Sequence, residues 1–175
     1  MQWNKVAVIG SPGSGKSTFS QQLGRQVRLP VYHLDALYWK PGWVPTPKEA
    51  WDAFQHQLVQ QKQWIIDGHY ARTLDIRLEA ADTVIWLDMP TSLCLYRAIK
   101  RTLFYRGKSR PDLTEGCPER FQLQFLQWIW HFRHKQRPAL LRRLAALDGS
   151  KTVLVLRVPR EVEHFIQKLP SAQTH

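Results

Sequence analysis

The amino-acid sequence predicts an α/β domain in which a parallel β-sheet is covered by helices on both faces. Five short apolar segments alternate along the chain with segments of helical periodicity, and this alternation is typical of a parallel sheet. The chain has 175 residues, of which 43% are hydrophobic, and this is enough for one domain with its own core. We therefore expect a single three-layer domain over residues 1–175 with a five-stranded sheet.

A phosphate-binding motif follows the first predicted strand, Val6–Ile9. Residues 10–18 read Gly-Ser-Pro-Gly-Ser-Gly-Lys-Ser-Thr, which is the P-loop pattern G-x-x-x-x-G-K-[ST] in the strand–loop–helix context that it requires. Its backbone N–H groups can donate hydrogen bonds to a phosphate. The Lys16 ammonium group can bind the β- and γ-phosphates, and the Ser17 hydroxyl can coordinate Mg²⁺. The motif therefore predicts ATP binding and a P-loop NTPase fold. The other predicted phosphate-binding residues are Gly10, Ser11, Gly13, Ser14, Gly15 and Thr18.

The rest of the chain is predicted to continue as alternating helices and strands. The predicted segments are a helix over Ser17–Val27, a strand over Val31–Leu34, a helix over Thr46–Gln61, a strand over Trp64–Ile66, a short helix around Leu74–Ala81, a strand over Thr83–Leu87, a helix over Thr91–Tyr105, helices over Glu119–Lys135 and Ala139–Leu147 separated at Pro138, a strand over Thr152–Leu156 and a helix over Arg160–Leu169. Thr46 is predicted to be a helix N-cap. Residues 36–45 and 107–118 contain several glycines and prolines, which predicts loops. The apolar stripe from Phe121 to Phe132 is predicted to be core.

Positive charge dominates the sequence, which has a formal net charge of +11. Six basic residues and no acid lie from Arg97 to Arg110, and five more basic residues lie from Arg133 to Arg143. This balance predicts anionic partners, namely nucleotides, nucleic acid or a membrane surface. The two cysteines match no zinc pattern, and no apolar run approaches membrane-spanning length. We therefore expect a cytoplasmic protein without a membrane segment.

Carboxylates at the ends of the predicted strands are candidates for the functional site, because ligands bind at that edge of a parallel sheet. Asp67 could reach Mg²⁺ through water if its strand lies beside the P-loop strand, or it caps the turn before Gly68. Asp35 could orient an acceptor hydroxyl and take its proton, or it caps a turn or a helix. Asp88 is predicted to be a structural turn residue.

Aromatic and basic side chains lie near these positions in the sequence. Tyr38 and Trp39 either stack on a planar substrate or pack the segment that carries them. Arg97 and Arg101 are four residues apart and share one face of the predicted helix that leads into the loop at residues 107–118. Closure of that loop would bring Arg101, Arg97 and Arg110 onto a transferring phosphate. Otherwise these residues form a solvated basic face.

With these residues in place, the sequence resembles the nucleoside-monophosphate-kinase branch of P-loop proteins and is similar in layout to adenylate and shikimate kinases. Within that branch it resembles the adenylate-kinase-related family of DNA topology modulation (FlaR-like) proteins. The segments that carry the closer resemblance are Gly10–Thr18, His33–Trp39, Ile66–Tyr70 and Cys117–Phe121. The resemblance implies a strand order of 2-3-1-4-5, a substrate-cap region at residues 36–62 and a lid loop at residues 106–118.

One segment departs from the adenylate kinase pattern. In adenylate kinases an Asp-Gly pair precedes Phe-Pro-Arg, whose arginine contacts the substrate. Here Asp67 and Gly68 precede His-Tyr-Ala-Arg at residues 69–72, which is one residue longer and lacks the proline. The resemblance carries Gly68 and Arg72 over as substrate-binding residues, and the departure argues against simple adenylate kinase activity.

These patterns together predict an ATP-dependent phosphotransferase of the adenylate-kinase-like type. It would bind Mg·ATP and transfer the γ-phosphoryl group to a small acceptor near Asp35 and Arg72, with nucleotides and nucleosides as candidates. The predicted catalytic residues are Lys16, Asp35 and Arg101. The alternative is an ATP-binding regulator that associates with DNA or RNA through its basic surface. An ATP hydrolase without a small acceptor ranks behind both.

Overall fold

The computed structural model describes residues 3–107, 114–147 and 149–169. The strands within these ranges are β1 (Lys5–Gly10), β2 (Val31–His33), β3 (Trp39–Lys40), β4 (Val44–Pro45), β5 (Trp64–Asp67), β6 (Thr83–Leu87) and β7 (Thr152–Leu156). Strands β3 and β4 form a separate antiparallel pair. The other five form a parallel sheet in the order β2-β5-β1-β6-β7. The predicted α/β class and sheet are confirmed, and the order reads 2-3-1-4-5 when the unpredicted hairpin strands are not counted.

Helices connect the strands and cover the sheet. Within the described residues they are α1 (Lys16–Val27), α2 (Leu34–Tyr38), α3 (Lys48–Leu58), α4 (Leu74–Ala80), α5 (Thr91–Phe104), α6 (Leu123–Lys135), α7 (Arg137–Ala145) and α8 (Pro159–Lys168). Helices α6 and α7 are separate, as Pro138 predicted. None of the described helices combines the length and the apolar character that crossing a membrane requires.

The side chains of β1 alternate between two hydrophobic cores, one on each face of the sheet. Val6 and Val8 pack with residues of α1, α5 and α6, whereas Ala7 and Ile9 pack with residues of α3, α4 and α7. All four side chains are fully buried, because β1 is the central strand and has helices on both sides. This arrangement confirms the three layers and brings the loop after β1 to the sheet edge where ligands bind.

Residues 34–45 form more regular structure than the predicted loop. After β2 the chain turns into the short helix α2, in which Leu34 is fully buried, and then forms the β3–β4 hairpin. Gly42 and Trp43 take positive φ angles of 78° and 62°, which make the tight turn of the hairpin. Elements of two to five residues are too short for a periodicity to show in the sequence. Asp35 therefore lies in the first turn of α2 and not at a strand end.

Helix α3 differs from the prediction at both ends. It begins at Lys48, and the Thr46 hydroxyl does not cap it but donates to the carbonyl oxygen of Tyr38 at 2.7 Å. It ends at Leu58 instead of Gln61. The predicted N-cap is therefore wrong, because this threonine ties the start of α3 to the end of α2.

Helix α6 begins at Leu123 and not at Glu119. The Glu119 carboxylate instead accepts from the Nε–H of Arg101 at 3.1 Å, which holds the chain extended before the helix. The stripe predicted to be core is buried only in part. Phe132 is buried, whereas Phe121 precedes the helix and is 65% exposed.

Candidate active site

The phosphate loop between β1 and α1 is shaped by glycines. Gly10, Gly13 and Gly15 all have positive φ angles, from 79° to 149°. A Cβ atom on Gly13 would lie 2.2 Å from the Cys94 carbonyl oxygen in α5, and one on Gly10 would lie 2.6 Å from the Leu87 carbonyl oxygen in β6. From the sequence, the loop glycines are expected because a side chain at these positions would block a bound phosphate. In the structure, close approach of the neighbouring backbone requires two of them as well.

Several donors of the loop suit a phosphate. Helix α1 begins after Gly15 with no side-chain cap, so its first N–H groups are available to an anion. The Ser14 hydroxyl is buried without a hydrogen-bond partner among the described residues. Lys16 donates to the Ser11 carbonyl oxygen at 2.9 Å, and burial lowers the pKa of its ammonium group while Asp35 and Asp67 oppose this shift. A phosphate would satisfy all of these groups.

A cleft of about 1070 Å³ extends from this loop. The phosphate end of the cleft is lined by residues 12–18, with Arg97 and Arg101 from α5. The opposite end, called the acceptor end here because it contains the predicted acceptor residue Asp35, is lined by Asp35, Trp39, Trp43, Gly68, His69 and Tyr70, with Trp128 from α6. The fold therefore brings most of the predicted site residues into one cavity.

Asp67 lies at the end of β5, beside β1 and in register with Val8. It is buried, and its Oδ2 is hydrogen-bonded to Nδ1 of His33. Burial raises the pKa of the Asp67 carboxyl, and the His33 contact opposes that shift. The sequence assigned no role to His33, yet the two strands are neighbours and His33 is the register partner of Asp67. The strand order implied by the resemblance places these two strands side by side, so the pairing of His33 with Asp67 could have been predicted from it.

Asp35 is exposed to the cleft and accepts a hydrogen bond from the Tyr70 hydroxyl at 2.9 Å. Burial and the neighbouring Asp35 carboxylate raise the pKa of the Tyr70 phenol, so Tyr70 remains a donor. The Tyr70 backbone has a φ of 27°, which is unusual for a residue with a side chain. The sequence did not identify Tyr70 as a site residue.

Arg77 of α4 holds the turn that carries Tyr70. Its side chain is fully buried and donates to the carbonyl oxygens of Gly68 at 2.7 Å, His69 at 2.9 Å and Tyr70 at 3.3 Å. Burial lowers the pKa of its guanidinium group to about 10, so it stays charged at neutral pH. Arg77 was missed because nothing in its sequence context distinguishes it from a surface arginine.

The two aromatic residues predicted to bind substrate have different positions. Tyr38 packs against Trp51 and Tyr70, with ring centroids 5.0 Å apart in both cases, and does not line the cleft. Trp39 lines the cleft and makes an edge contact with Trp43 at 5.5 Å. Tyr38 therefore supports the wall, whereas Trp39 forms part of it.

The arginines that were predicted to bind phosphate or substrate also differ in their positions relative to the cleft. Arg97 donates to the Ser14 carbonyl oxygen at 3.2 Å, next to the phosphate loop, and Arg101 pairs with Glu119 in the cleft. Arg72 forms an ion pair with Asp52 at 2.6 Å, with its side chain half exposed, and is absent from the cleft lining. Arg110 lies outside the described residues, as does most of the central part of the predicted lid loop, residues 108–113.

The described end of the lid loop is joined to the β3–β4 hairpin. Gly42 N–H donates to the Gly116 carbonyl oxygen at 2.8 Å, and the indole N–H of Trp43 donates to the Pro118 carbonyl oxygen at 3.0 Å. The Cys117 thiol donates to the Lys40 carbonyl oxygen at 3.2 Å, and the Thr114 hydroxyl donates to that of Ala36. The segments predicted to be the lid and the cap are therefore joined by hydrogen bonds, and together they would cover the acceptor end.

Metal binding at this site would depend on the nucleotide. Within the described ranges, no group of three or more histidine, cysteine, aspartate or glutamate side chains could hold a metal ion. Ser17 lines the phosphate end of the cleft, whereas Asp67 is buried and does not belong to the cleft lining. These residues fit hydrated Mg²⁺ only if phosphate oxygens and water complete its coordination.

No protein-family model matches the chain. Adenylate kinase 2 from Synechocystis sp. (strain ATCC 27184 / PCC 6803 / Kazusa) is 27% identical over an alignment of 130 residues that covers 57% of this chain and 71% of that protein. This similarity supports membership in the broad superfamily of P-loop kinases related to nucleoside monophosphate kinases. The DNA topology modulation family implied by the sequence resemblance finds no support in these comparisons.

Solved kinase structures share the fold. A sugar kinase from Janibacter sp. HTCC2649 has a TM-score of 0.55 at 19% identity and covers 99% of this chain and 100% of its own. A shikimate kinase from Acinetobacter baumannii has a TM-score of 0.55 at 16% identity, and the match covers 95% of this chain and 90% of the shikimate kinase. A deoxyadenosine kinase from M. mycoides with dCMP and dCDP bound has a TM-score of 0.55 at 16% identity. This match covers 94% of this chain and 97% of the deoxyadenosine kinase. The chain therefore has the P-loop kinase fold over almost its whole length.

Proposed function

We propose that this protein is a Mg·ATP-dependent phosphotransferase that transfers the γ-phosphoryl group to a hydroxyl of a small acceptor held beside Asp35. The observation that carries the proposal is a single cleft that contains both a phosphate loop with available donors and a carboxylate held by a tyrosine. Phosphoryl transfer needs positioning and charge stabilisation more than covalent chemistry. The cleft offers groups for both.

The phosphate end would hold the nucleotide. The Lys16 ammonium group would exchange its bond to the Ser11 carbonyl oxygen for the β- and γ-phosphates, and the buried Ser14 hydroxyl would donate to the same phosphates. Ser17 would hold Mg²⁺ directly and Asp67 would hold it through water. A Mg²⁺ ion bound with the nucleotide would neutralise part of the negative charge of the phosphates.

Asp35 would orient the acceptor. Its Oδ1 accepts from the Tyr70 hydroxyl at 2.9 Å, which fixes the carboxylate and leaves Oδ2 to accept from an acceptor hydroxyl. As the new oxygen–phosphorus bond forms and the bond to the β-phosphate oxygen breaks, the hydroxyl proton would pass to this carboxylate. The ADP oxygen keeps the electron pair of the broken bond.

Charge on the transferring group would be stabilised from α5. Arg97 already lies at the phosphate loop, 3.2 Å from the Ser14 carbonyl oxygen. Arg101 is held in the cleft by Glu119, and a phosphate could replace that carboxylate as the partner of the guanidinium group. Arg110 is proposed for the same role on sequence grounds alone, and Arg72 is proposed for substrate binding on the family resemblance alone.

The acceptor is proposed to be a small hydroxylated molecule, with nucleotides and nucleosides among the candidates. The kinases named above include one for sugars, one for shikimate and one for deoxyadenosine, and all three of these molecules carry hydroxyl groups. Trp39 gives the cleft an aromatic wall on which a planar base could stack. None of the relatives named above is described as a nucleic-acid-binding protein, so the alternative of a DNA- or RNA-associated regulator is not favoured.

The test is release of ADP from Mg·ATP by the purified protein with a panel of nucleoside monophosphates, nucleosides, sugars, other hydroxylated metabolites and duplex DNA. Lys16→Ala and Asp35→Asn are each expected to reduce acceptor-dependent turnover at least about a hundredfold. The matched controls are Lys62→Ala, at an exposed surface position, and Asp75→Asn, whose carboxylate pairs with Arg143 outside the cleft. Both controls should keep wild-type turnover.

The outcomes separate the candidate functions. Stimulation by one small acceptor, lost in both site variants and kept in both controls, supports the proposal and identifies the substrate. Stimulation by DNA alone would contradict it and favour the regulator. ATP binding without turnover on any small acceptor would contradict it as well.

A further inference from the structure

Arg120 lines the cleft but has no role in the phosphoryl transfer proposed above. Its side chain is exposed, and among the described residues no carboxylate forms an ion pair with it. The two other described arginines of the cleft lining do have oxygen partners. Arg97 donates to the Ser14 carbonyl oxygen, and Arg101 pairs with the Glu119 carboxylate. Arg120 therefore brings to the cleft a positive charge that no described carboxylate neutralises by direct contact.

The extended chain before α6 determines where the Arg120 side chain lies. The Gly107 N–H donates to the Glu119 carbonyl oxygen at 3.2 Å, beside a β-bridge between Arg106 and Glu119. Successive side chains of an extended segment point to opposite sides. The Glu119 side chain is buried and holds Arg101 of α5, so the next side chain, Arg120, lies on the other side, against the β3–β4 hairpin.

An aromatic ring of the hairpin holds the Arg120 guanidinium group. Its Cζ lies over the Trp43 ring, 5.8 Å from the centroid, a distance at which an indole attracts a cation. The Trp43 indole N–H donates to the Pro118 carbonyl oxygen at 3.0 Å, and Trp39 makes an edge contact with the same ring. A guanidinium group that lies over a ring keeps its N–H edge available for an anion. These contacts place Arg120 at the acceptor end before a ligand binds.

The charge of Asp35 gives a cation at this end of the cleft a specific use. An acceptor that carries a carboxylate or a phosphate would be repelled by the Asp35 carboxylate unless a positive charge binds its anionic group. Among the described residues, the other lysine and arginine side chains of the cleft lining are assigned to the nucleotide by the proposed function, namely Lys16, Arg97 and Arg101. Arg120 is therefore the described cation of the cleft lining that is left for the acceptor.

We propose that Arg120 binds a carboxylate or phosphate group of the phosphoryl acceptor, so that the acceptor is a hydroxylated anion. This inference rests on the proposed function and specifies its substrate class. A planar guanidinium group can donate two parallel N–H bonds to either anionic group, and a neutral sugar or nucleoside has no group that matches this geometry and charge. The phosphates of the nucleotide are the other source of such oxygens, and the kinetic test below separates the two sources.

The first measurement uses the wild-type protein alone. The acceptor found in the panel is compared with the molecule that differs from it in the charged group, such as a nucleoside monophosphate with its nucleoside or glucuronate with glucose. The charged member should have a kcat/KM at least about tenfold higher, as expected for a hydrogen bond between charged groups. A neutral member that is turned over equally well would overturn the inference and leave the phosphotransferase intact. A wild-type protein that turns over no small acceptor would overturn both.

The second measurement uses Arg120→Gln, which should fold because the side chain is exposed. The KM for the charged acceptor should rise at least about tenfold, the KM for ATP should stay unchanged, and the preference for the charged member of the pair should disappear. Arg120→Lys keeps the charge without the planar fork, so its acceptor KM should rise less. The matched control is Arg25→Gln on an exposed position of α1 outside the cleft lining, which should change neither KM.

The result for Arg120→Gln decides between the two sources of the anion. A rise in the KM for ATP that equals or exceeds the rise for the acceptor would place the guanidinium group on the nucleotide and overturn the inference. An unchanged acceptor KM with an intact preference for the charged member would overturn it as well, because another group would then bind the anion. An unchanged thermal unfolding midpoint in Arg120→Gln would show that a loss of the preference does not come from unfolding.

Discussion

The two ends of the cleft are built in different ways. The phosphate end is formed mainly by consecutive residues, 12–18, and depends on backbone N–H groups and glycine conformations. The acceptor end collects side chains from α2, the β3–β4 hairpin, the turn after β5 and α6. A site made from contiguous backbone leaves a motif in the sequence. A site assembled from distant side chains depends on tertiary contacts, which leave no local pattern.

The largest expected effect is on the acceptor end and concerns Arg77. Replacing Arg77 with leucine would remove its bonds to the buried carbonyl oxygens of Gly68 and His69. The Tyr70 carbonyl oxygen would keep the bond from the Thr73 N–H. We expect the free energy of unfolding to fall by about 4 kcal/mol, measured by urea denaturation. ATP binding by the folded fraction should persist, because the phosphate loop makes no bond to this arginine.

Arg72→Leu is the matched control, five residues earlier in the same segment. Its ion pair with Asp52 is half exposed, and such pairs contribute only about 0.5 kcal/mol. Equal destabilisation by the two substitutions would show that Arg77 does not hold the turn. A strong loss of acceptor binding in Arg72→Leu would instead support the substrate role that we propose for Arg72 on the family resemblance.

The next effect is on the phosphate end and concerns Gly13. Gly13→Ala would place a Cβ atom 2.2 Å from the Cys94 carbonyl oxygen at a φ of 79°. Strain and overlap together should cost about 3 kcal/mol of unfolding free energy and weaken ATP binding, measured by calorimetric titration.

Gly42→Ala separates the two causes. Gly42 has nearly the same φ, 78°, but a Cβ atom added there would have nothing within 4 Å. Only the conformational cost of about 1 kcal/mol remains at this position. If both substitutions cost the same, the overlap with α5 is relieved by a small shift and the loop is less rigid than the structure indicates.

The same contrast explains what could be predicted from the sequence. The β1–loop–α1 unit could be predicted because its spacing is fixed by the phosphate that it is suited to bind. The position of Asp67 at the end of a strand could also be predicted, and its role in the site stays a prediction. Arg77 and Arg72 are the same residue type in one short segment, and only burial by the surrounding helices separates their roles. The β3–β4 hairpin was missed because its strands are two residues long and depend on Gly42 and Trp43 for the turn.

A third prediction concerns pH and again the acceptor end. Burial, with the nearby charge of Lys16, lowers the pKa of His69 from 6.5 to about 4. Between these two pH values the unfolded chain binds a proton at this residue that the folded chain does not bind. This histidine therefore makes folding less favourable as the pH falls below 6.5, by up to about 1.4 kcal/mol for each pH unit.

His69→Phe should remove this contribution. Urea denaturation of the wild type and the variant at pH 7 and pH 5 should show a smaller loss of stability for the variant on acidification. His131→Phe should follow the wild type, because His131 is exposed on α6. Identical pH dependence in the wild type and His69→Phe would mean that the ring is protonated readily and is therefore more open to water than the structure shows.

The smallest effect concerns the cover of the acceptor end. The indole N–H of Trp43 donates to the Pro118 carbonyl oxygen at 3.0 Å, and the neighbouring Gly42 N–H donates to Gly116 at 2.8 Å. Trp43→Phe keeps an aromatic ring and removes the first bond, which is worth about 1 kcal/mol. If lid and cap open together, hydrogen exchange of the Gly42 amide should become about fivefold faster.

Trp130→Phe provides the comparison, since Trp130 is a solvent-exposed indole on α6. It should leave exchange at Gly42 unchanged. The same rate in Trp43→Phe and the wild type would mean that the hairpin opens independently of residues 114–118. The acceptor end would then have two separate covers, and access to it would not require the lid and the cap to move together. A faster rate in Trp43→Phe alone would make the cover one cooperative unit that depends, unlike the phosphate loop, on contacts between segments 75 residues apart in the chain.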